Sequence, residues 1–314
     1  MRICCLTSSK TPSKQLSGKE QSVALRHFFI VILVVAIWAF NVVAIKLGVT
    51  ELPPLFMTFL RFIVVSAVVV PFARVTREQL KTLMVLAFTF GFMHFSLLFV
   101  GTRYTDAGTA AIVVQLGTPF AMIMAAVVLK EKLSFIQVMG IAISLSGVFF
   151  LAGSPSSASM LAMVLLLTSA TGWALTNIIV KCSVPIHPLT MAGWLSFLAI
   201  PLVALASFIF ETGQFAAIEN ASWRGWFGVF YSAIGSSVIA YSLWYWLLKK
   251  YPVNKVMPYS LLSPVFAIFF GALFLGDSLN VWKMSGATLI VGGTFLALVN
   301  PVNILRRYKA RLAN

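Results

Sequence analysis

Carboxylates are scarce in this sequence: 314 residues carry eight Asp and Glu against 23 Lys and Arg. The eight (Glu20, Glu51, Glu78, Asp106, Glu131, Glu211, Glu219 and Asp277) fall in joints between apolar runs or at their ends. A proton relay through a membrane wants a carboxylate at mid-depth, and none is expected there. Proton coupling is therefore unsupported, leaving a facilitator or an exchanger open. An aspartyl intramembrane protease is excluded, because the only two aspartates sit at run ends. Histidine is as sparse: His27, His94 and His187 are too far apart in sequence to suggest a metal site. No HExxH, GxSxG or P-loop pattern is present. The three cysteines, Cys4, Cys5 and Cys182, make no disulfide or metal framework. Enzyme activity, a metal and a cofactor are all unsupported.

Charge of any kind is thin. Ten percent of residues are charged, where a soluble domain carries about 25%. Hydrophobic residues make up 60% and the mean hydropathy is +0.97. The net charge of +15 does not point to nucleic acid, since the basic residues stand singly or in small groups between apolar runs. Beside such runs they act as topology signals.

Crossing the hydrocarbon layer takes about 20 apolar residues. Breaking the sequence at charged or Pro/Gly/Ser-rich joints predicts ten transmembrane helices, at 28–47, 54–73, 80–101, 106–129, 135–152, 160–180, 188–210, 225–248, 253–275 and 281–300. The joints leave no room for a globular domain. One longer joint, ETGQFAAIENASWRG, has the composition of an interfacial stretch. No small-residue cleavage site closes the first run, so a retained helix is expected rather than a removed signal peptide. With the N-terminus placed in the cytoplasm, 18 of the 23 basic residues fall on the cytoplasmic side, including Arg74, Arg77, Lys130, Lys249 and Lys250. Both termini are expected there, as a disordered basic tail at 1–26 and a basic tail at 301–314.

The first and sixth runs share a pattern. WAFNVVAIK spans Trp38 to Lys46 and WALTNIIVK spans Trp173 to Lys181. Pro119 precedes LKEKL as Pro264 precedes LGDSL. Steps of seven lead from Leu133 to Gly140 and Gly147, and from Leu279 to Gly286 and Gly293. Matched Trp, Lys, Pro, acidic and Gly positions in one order argue for an internal repeat, 27–152 and 153–300. Five spans is an odd number, so the second copy enters from the opposite side. The fold class expected is an all-α membrane protein of two inverted five-helix repeats, the usual construction of secondary transporters.

WAFNVVAIKLG, PPLFMTFLRF, YTDAGTAAIVVQLGTPF, LKEKLSFIQVMGIAISLSGVFFL and LLSPVFAIFFGALFLGDSL together resemble the EamA family of the drug/metabolite transporter superfamily. GFMHFSLLFVGTRYTDAGTAAIVVQ looks closest to its O-acetylserine/cysteine exporter branch. The resemblance implies two five-helix repeats around a central cavity and export of small metabolites, often amino acids, across the inner membrane. The second acidic motif departs from the family's Gly-Glu-Arg, reading Gly276-Asp277-Ser278.

Polar groups within spans should face a cavity or a partner helix. Trp38 and Asn41 share one helix face, as do Trp173 and Asn177. An aromatic plate beside an amide suits a small zwitterion; the alternative is interhelical bonding and packing. Pro119 and Pro264 should free the carbonyls of Gln115 and Ser260, four residues earlier, creating a binding site, a hinge or a filled kink. His94 is the one histidine well inside a span, a substrate ligand or a core residue. Tyr241, Trp244, Tyr245 and Leu248 form a helical stripe, lining the cavity or packing. Arg61, Lys46 and Lys181 are expected to snorkel to the interfaces. For the two lysines the alternative is opposite gate roles; for Arg61 it is bracing the first helix or binding a substrate carboxylate. Gly140, Ser144 and Gly147 with Gly286 and Gly293 read as packing seams, within the chain or in a homodimer. The partners expected are a small-molecule substrate and the lipid bilayer.

Overall fold

The computed structural model describes residues 25–152, 159–251 and 256–299, the side chains of Ala152, Tyr245, Met257, Pro258 and Val299 excepted. The basic tails expected at 1–26, as disordered, and at 301–314 lie outside the described residues, apart from Leu25 and Arg26, which belong to the first helix.

Among the described residues eleven helices follow in order. They are α1 (Leu25–Glu51), α2 (Pro54–Val69, extended by a 3-10 turn Val70–Phe72), α3 (Arg77–Arg103), α4 (Ala107–Val128), α5 (Phe135–Ala152), α6 (Met160–Lys181), α7 (Pro188–Phe210), the short α8 (Gln214–Asn220), α9 (Trp223–Lys250), α10 (a 3-10 turn Met257–Leu262 running into Ser263–Leu275) and α11 (Val281–Val299). Eight of them, α1 to α4, α6, α7, α9 and α11, are long and apolar enough to cross a membrane; the apolar stretches of α5 and α10, Phe135–Leu151 and Tyr259–Leu275, are shorter. Among the described residues every regular element is helical, as lipid requires when backbone groups must be satisfied within the segment. α8 occupies the joint read as interfacial.

Local sequence sets the helix starts. Pro54 and Pro188 take first-turn positions, where the missing N–H costs nothing. Thr76 and Gln79 form a reciprocal capping box at α3, Asp106 caps α4, and Ser159 caps α6. Two further caps are tertiary. Glu211, ending α7, accepts the Leu55 and Phe56 N–H groups at 2.7 and 2.9 Å, at the start of α2. Glu51, ending α1, accepts from the Ser222 and Gly225 N–H groups at the start of α9. A carboxylate on a helix N-terminus satisfies orphan donors and meets the positive end of the dipole.

α1 is central, touching α3, α4, α9 and α10, while α2 lies on α7. α5 and α11 pack along the expected glycine seam. A Cβ at Gly140 would fall 2.6 Å from the Gly293 carbonyl, and one at Gly293 would fall 2.6 Å from the Gly140 carbonyl. Ser144 Oγ adds a bond to the Ile290 carbonyl at 3.1 Å. These glycines are thus consumed inside one chain rather than offered to a second copy.

Two features recur in the two halves beyond the expected matches. Both α3 and α9 open into a ten-residue π-helical stretch, Ala87–Ser96 and Tyr231–Ala240. Such widened turns are rare and concentrate at functional sites. Both α4 and α10 end on a left-handed residue, Lys130 at φ 55° and Gly276 at φ 70°.

Candidate functional site in the helix interior

The π stretches meet at Arg61, which lies seven residues into α2, about 10 Å along it. Arg61 is only 2% exposed, so it does not snorkel as expected. Snorkelling fails because the side chain has a partner inside. Nη2 donates to Ser237 Oγ at 2.8 Å, and the guanidinium carbon lies 3.9 Å from the Phe95 ring centre. Ser237 Oγ in turn donates to the Ser232 carbonyl, five residues back within the π stretch. Nε and Nη1 of Arg61 are buried without a hydrogen-bond partner among the described residues. Arg61, Phe90, Phe95, Ser196, Ser237 and Tyr241 line one small cavity between α2, α3, α7 and α9.

Trp38 joins the same cluster from α1. Its indole N–H donates to the Ser236 carbonyl at 3.3 Å, beside Ser237, and its ring meets Tyr241 and Trp244 at 5.4 and 5.1 Å. Asn41, on the same face, is buried, and its Oδ1 has no hydrogen-bond partner among the described residues. His94 is buried behind the arginine, stacked on Phe90 at 5.0 Å and bonded through Nδ1 to Ser169 Oγ and carbonyl. Ser169 Oγ also donates to the His94 carbonyl at 2.8 Å, which pins α6 to the π stretch of α3. Trp173 packs on the cluster of Leu86, Phe90 and Leu195 and covers Gly117. The structure therefore brings together Trp38, Arg61, His94, Trp173 and Tyr241. The side chain of Tyr245 lies outside the described residues.

Other expected residues stand apart. Asn177 is exposed, and its amide turns back to the Trp173 carbonyl at 2.8 Å. Lys181 is exposed and paired with Glu131. Lys46, its counterpart, does not snorkel. Its ammonium donates to the carbonyls of Thr102, Arg103 and Thr105 at 3.0, 2.9 and 2.6 Å, closing the end of α3. The proline argument needs correction too. Pro119 and Pro264 are buried at breaks in α4 and α10, but the carbonyls they displace are not free. Gln115 O accepts from Thr118 N at 3.1 Å, and Ser260 O accepts from Ser263 N. Each helix tightens into a 3-10 turn and satisfies the group three residues on rather than four.

Sequence reasoning passed over Ser236 and Ser237, although GSS inside an apolar run is a signal of polar groups at membrane depth. It also passed over a buried ion pair. Lys283, 2% exposed, bonds Asp106 Oδ1 at 2.6 Å and lies 4.0 Å from Asp277, whose carboxylate accepts the Gly108 N–H. Among the described residues no group of His, Cys, Asp and Glu could hold a metal.

The EamA-like transporter family matches residues 25–153 and 160–299, one copy in each half. A "Probable amino-acid metabolite efflux pump" of Salmonella typhimurium is 30% identical over 278 residues, covering 85% of this chain and 93% of that protein. Its Escherichia coli namesake is 30% identical, covering 84% and 92%. An "Uncharacterized inner membrane transporter YedA" of Escherichia coli is 25% identical over 85% and 90%. A solved crystal structure overlays with a TM-score of 0.58 at 18% identity, covering 89% of this chain and 98% of its own, a likeness of fold. With a match in both halves and relatives aligned over most of their length, this chain belongs to the EamA-like transporter family.

Proposed function

We propose that the protein exports small metabolites, amino acids or their derivatives of the cysteine/O-acetylserine type, across the inner membrane by alternating access. The observation that carries this reading is the interior cluster. Trp38 and Arg61 of the first repeat meet Ser237 and Tyr241 of the second, and Arg61 touches a residue of each π-helical stretch, Phe95 and Ser237. A buried site shared by two halves is where a rocking transporter holds its solute. The names of the two efflux-pump relatives support the amino-acid class, and the name of a third supports the inner membrane.

In this reading ten helices cross the membrane, α8 lying at an interface, and the two repeats are inverted with both termini cytoplasmic. The matched π stretches and left-handed helix ends support the repeat. The repeat-related lysines differ as one-sided closure predicts: Lys46 is caged at the outer ends of α1 and α3, while Lys181 stands 56% exposed at the inner end of α6. Pro119 and Pro264, at the tightened breaks, are the hinges.

The test is cellular. Cells overproducing the protein are challenged with toxic cysteine, O-acetylserine, threonine, homoserine and amino-acid analogues, and efflux is measured. Resistance with accelerated efflux of at least one is expected; unchanged resistance and efflux for all of them would sink the amino-acid reading. Asn41→Ala should impair efflux at unchanged membrane levels, and normal efflux in this variant removes Asn41 from the site.

A further inference from the structure

We propose that Arg61 anchors a carboxylate of the transported solute, so that the site selects small organic acids and zwitterions over the corresponding amides and amines. The inference deepens the exporter reading and rests on it for the location of the solute. A guanidinium presents five N–H donors in one plane. Ser237 takes one of them, and Nε and Nη1 take no partner among the described residues although the side chain is 2% exposed. Burying unpaired charged donors is costly unless something else satisfies them.

No carboxylate of the described chain does so. The ion pairs among the described residues are Lys181–Glu131, Lys283–Asp106 and Lys283–Asp277, none of which includes Arg61. Glu51 and Glu211 are bound at helix N-termini. Phe95 covers one face of the guanidinium at 3.9 Å, with Phe99 and Phe62 at 5.5 and 5.8 Å. Aromatic faces tolerate the cation without neutralising it. What remains for a ligand is the in-plane edge, whose fork geometry matches a carboxylate.

The surroundings fit a solute that comes and goes. The cavity beside Arg61 has a volume of about 10 Å³, on the order of one water. A carboxylate enters it only when the lining moves apart. Phe90 and Phe95 lie on one π stretch and Ser237 on the other, so relative motion of α3 and α9 widens or closes the space at the guanidinium. A purely structural arginine, bracing α2 to α9 through Ser237, would have no such need of an unpaired edge.

The full-length protein in detergent is titrated with acetate, acetamide, L-threonine and L-threonine amide, reading tryptophan fluorescence and thermal unfolding. Acetate and threonine should give saturable shifts and the two amides none. Arg61→Met should weaken acetate binding by about 10–100-fold, the size of a lost charged hydrogen-bond pair, and Arg61→Lys should retain part of it. Should Arg61→Met fail to fold, Ser237→Ala, which frees the fork to rotate, should weaken it by about 3–10-fold. The proposal is overturned if neither carboxylate binds the wild type, if amides bind as well as acids, or if binding survives Arg61→Met. Arg61-dependent acetate binding without any threonine binding or amino-acid export leaves the anchor standing and removes the amino-acid reading. Equal export of threonine and its amide does the reverse.

Discussion

Lys130 and Gly276 hold the same left-handed backbone position at the ends of α4 and α10, with φ of 55° and 70°. In each case the next residue reaches back six positions, Glu131 N to the Ala125 carbonyl and Asp277 N to the Gly271 carbonyl, closing the helix. Glycine takes this conformation without strain, whereas a side-chain-bearing residue is strained by about 1–2 kcal/mol. Lys130→Gly should therefore stabilise the protein by about 1 kcal/mol, and Gly276→Ala should destabilise it by a similar amount. Thermal unfolding of both variants checks the pair; a loss of stability in Lys130→Gly would refute it.

The caged Lys46 and the exposed Lys181 should respond differently to the same change. Lys46→Met leaves three carbonyls, two at the end of α3 and one in the joint before α4, without their donor, at a cost of about 1–3 kcal/mol. Lys181→Met removes an exposed pair with Glu131, for which about 0–1 kcal/mol is usual. Equal melting temperatures for the two variants would mean that the cage contributes nothing.

Gly140 and Gly292 make a matched control. Leucine at Gly140 drives a side chain into the backbone of α11, since even a Cβ would sit 2.5 Å from Ala297 N. Among the described residues nothing lies within 4 Å of a Cβ at Gly292. Gly140→Leu should abolish accumulation of folded protein, with a loss of about 3 kcal/mol or more by overpacking. Gly292→Leu should leave levels within about 0.5 kcal/mol of wild type. Membrane levels and unfolding temperature distinguish them.

Asp106 caps α4 outside the spans and should give stability an acid limb. Desolvation pushes its carboxyl up, but the Lys283 ammonium and the Thr109 hydrogen bonds outweigh this and hold it below its ordinary 3.8. A depressed carboxyl adds stability that is fully present above its unfolded value and is lost as pH falls through the folded one. Melting temperature should hold on acidification toward pH 4 and drop below it. Asp106→Asn should lower stability at pH 7 and flatten that drop. An unchanged acid limb in the variant would show that other groups set it.

Trp38→Phe keeps an aromatic ring against Tyr241 and Trp244 but removes the N–H that bonds the Ser236 carbonyl. One such hydrogen bond is worth about 0.5–1.5 kcal/mol. Efflux by the variant should fall about 3–10-fold at unchanged membrane levels. Efflux equal to wild type would place the indole N–H outside the working site.

The family, the helical class and the pairing of two halves were legible in the sequence because each rests on local or periodic properties. Apolar run length, basic residues at joints, and matched Trp, Lys, Pro and Gly positions need no knowledge of which helix touches which. The Gly140 and Gly293 seam could be read the same way, since small residues at helical spacing have one main use in lipid. The fates of the polar side chains could not. Whether Arg61 reaches the interface or turns inward depends on Ser237, 176 positions away, and on a π stretch that widens α9 there. Lys46 and Lys181 sit in the same sequence pattern, yet only Lys46 finds three helix-end carbonyls within reach. The displaced carbonyls of Gln115 and Ser260 were satisfied by a local tightening that proline chemistry does not specify. Hydropathy is summed along the chain and survives without coordinates; hydrogen-bond partners and buried charge are decided across it, and only the packed helices settle them.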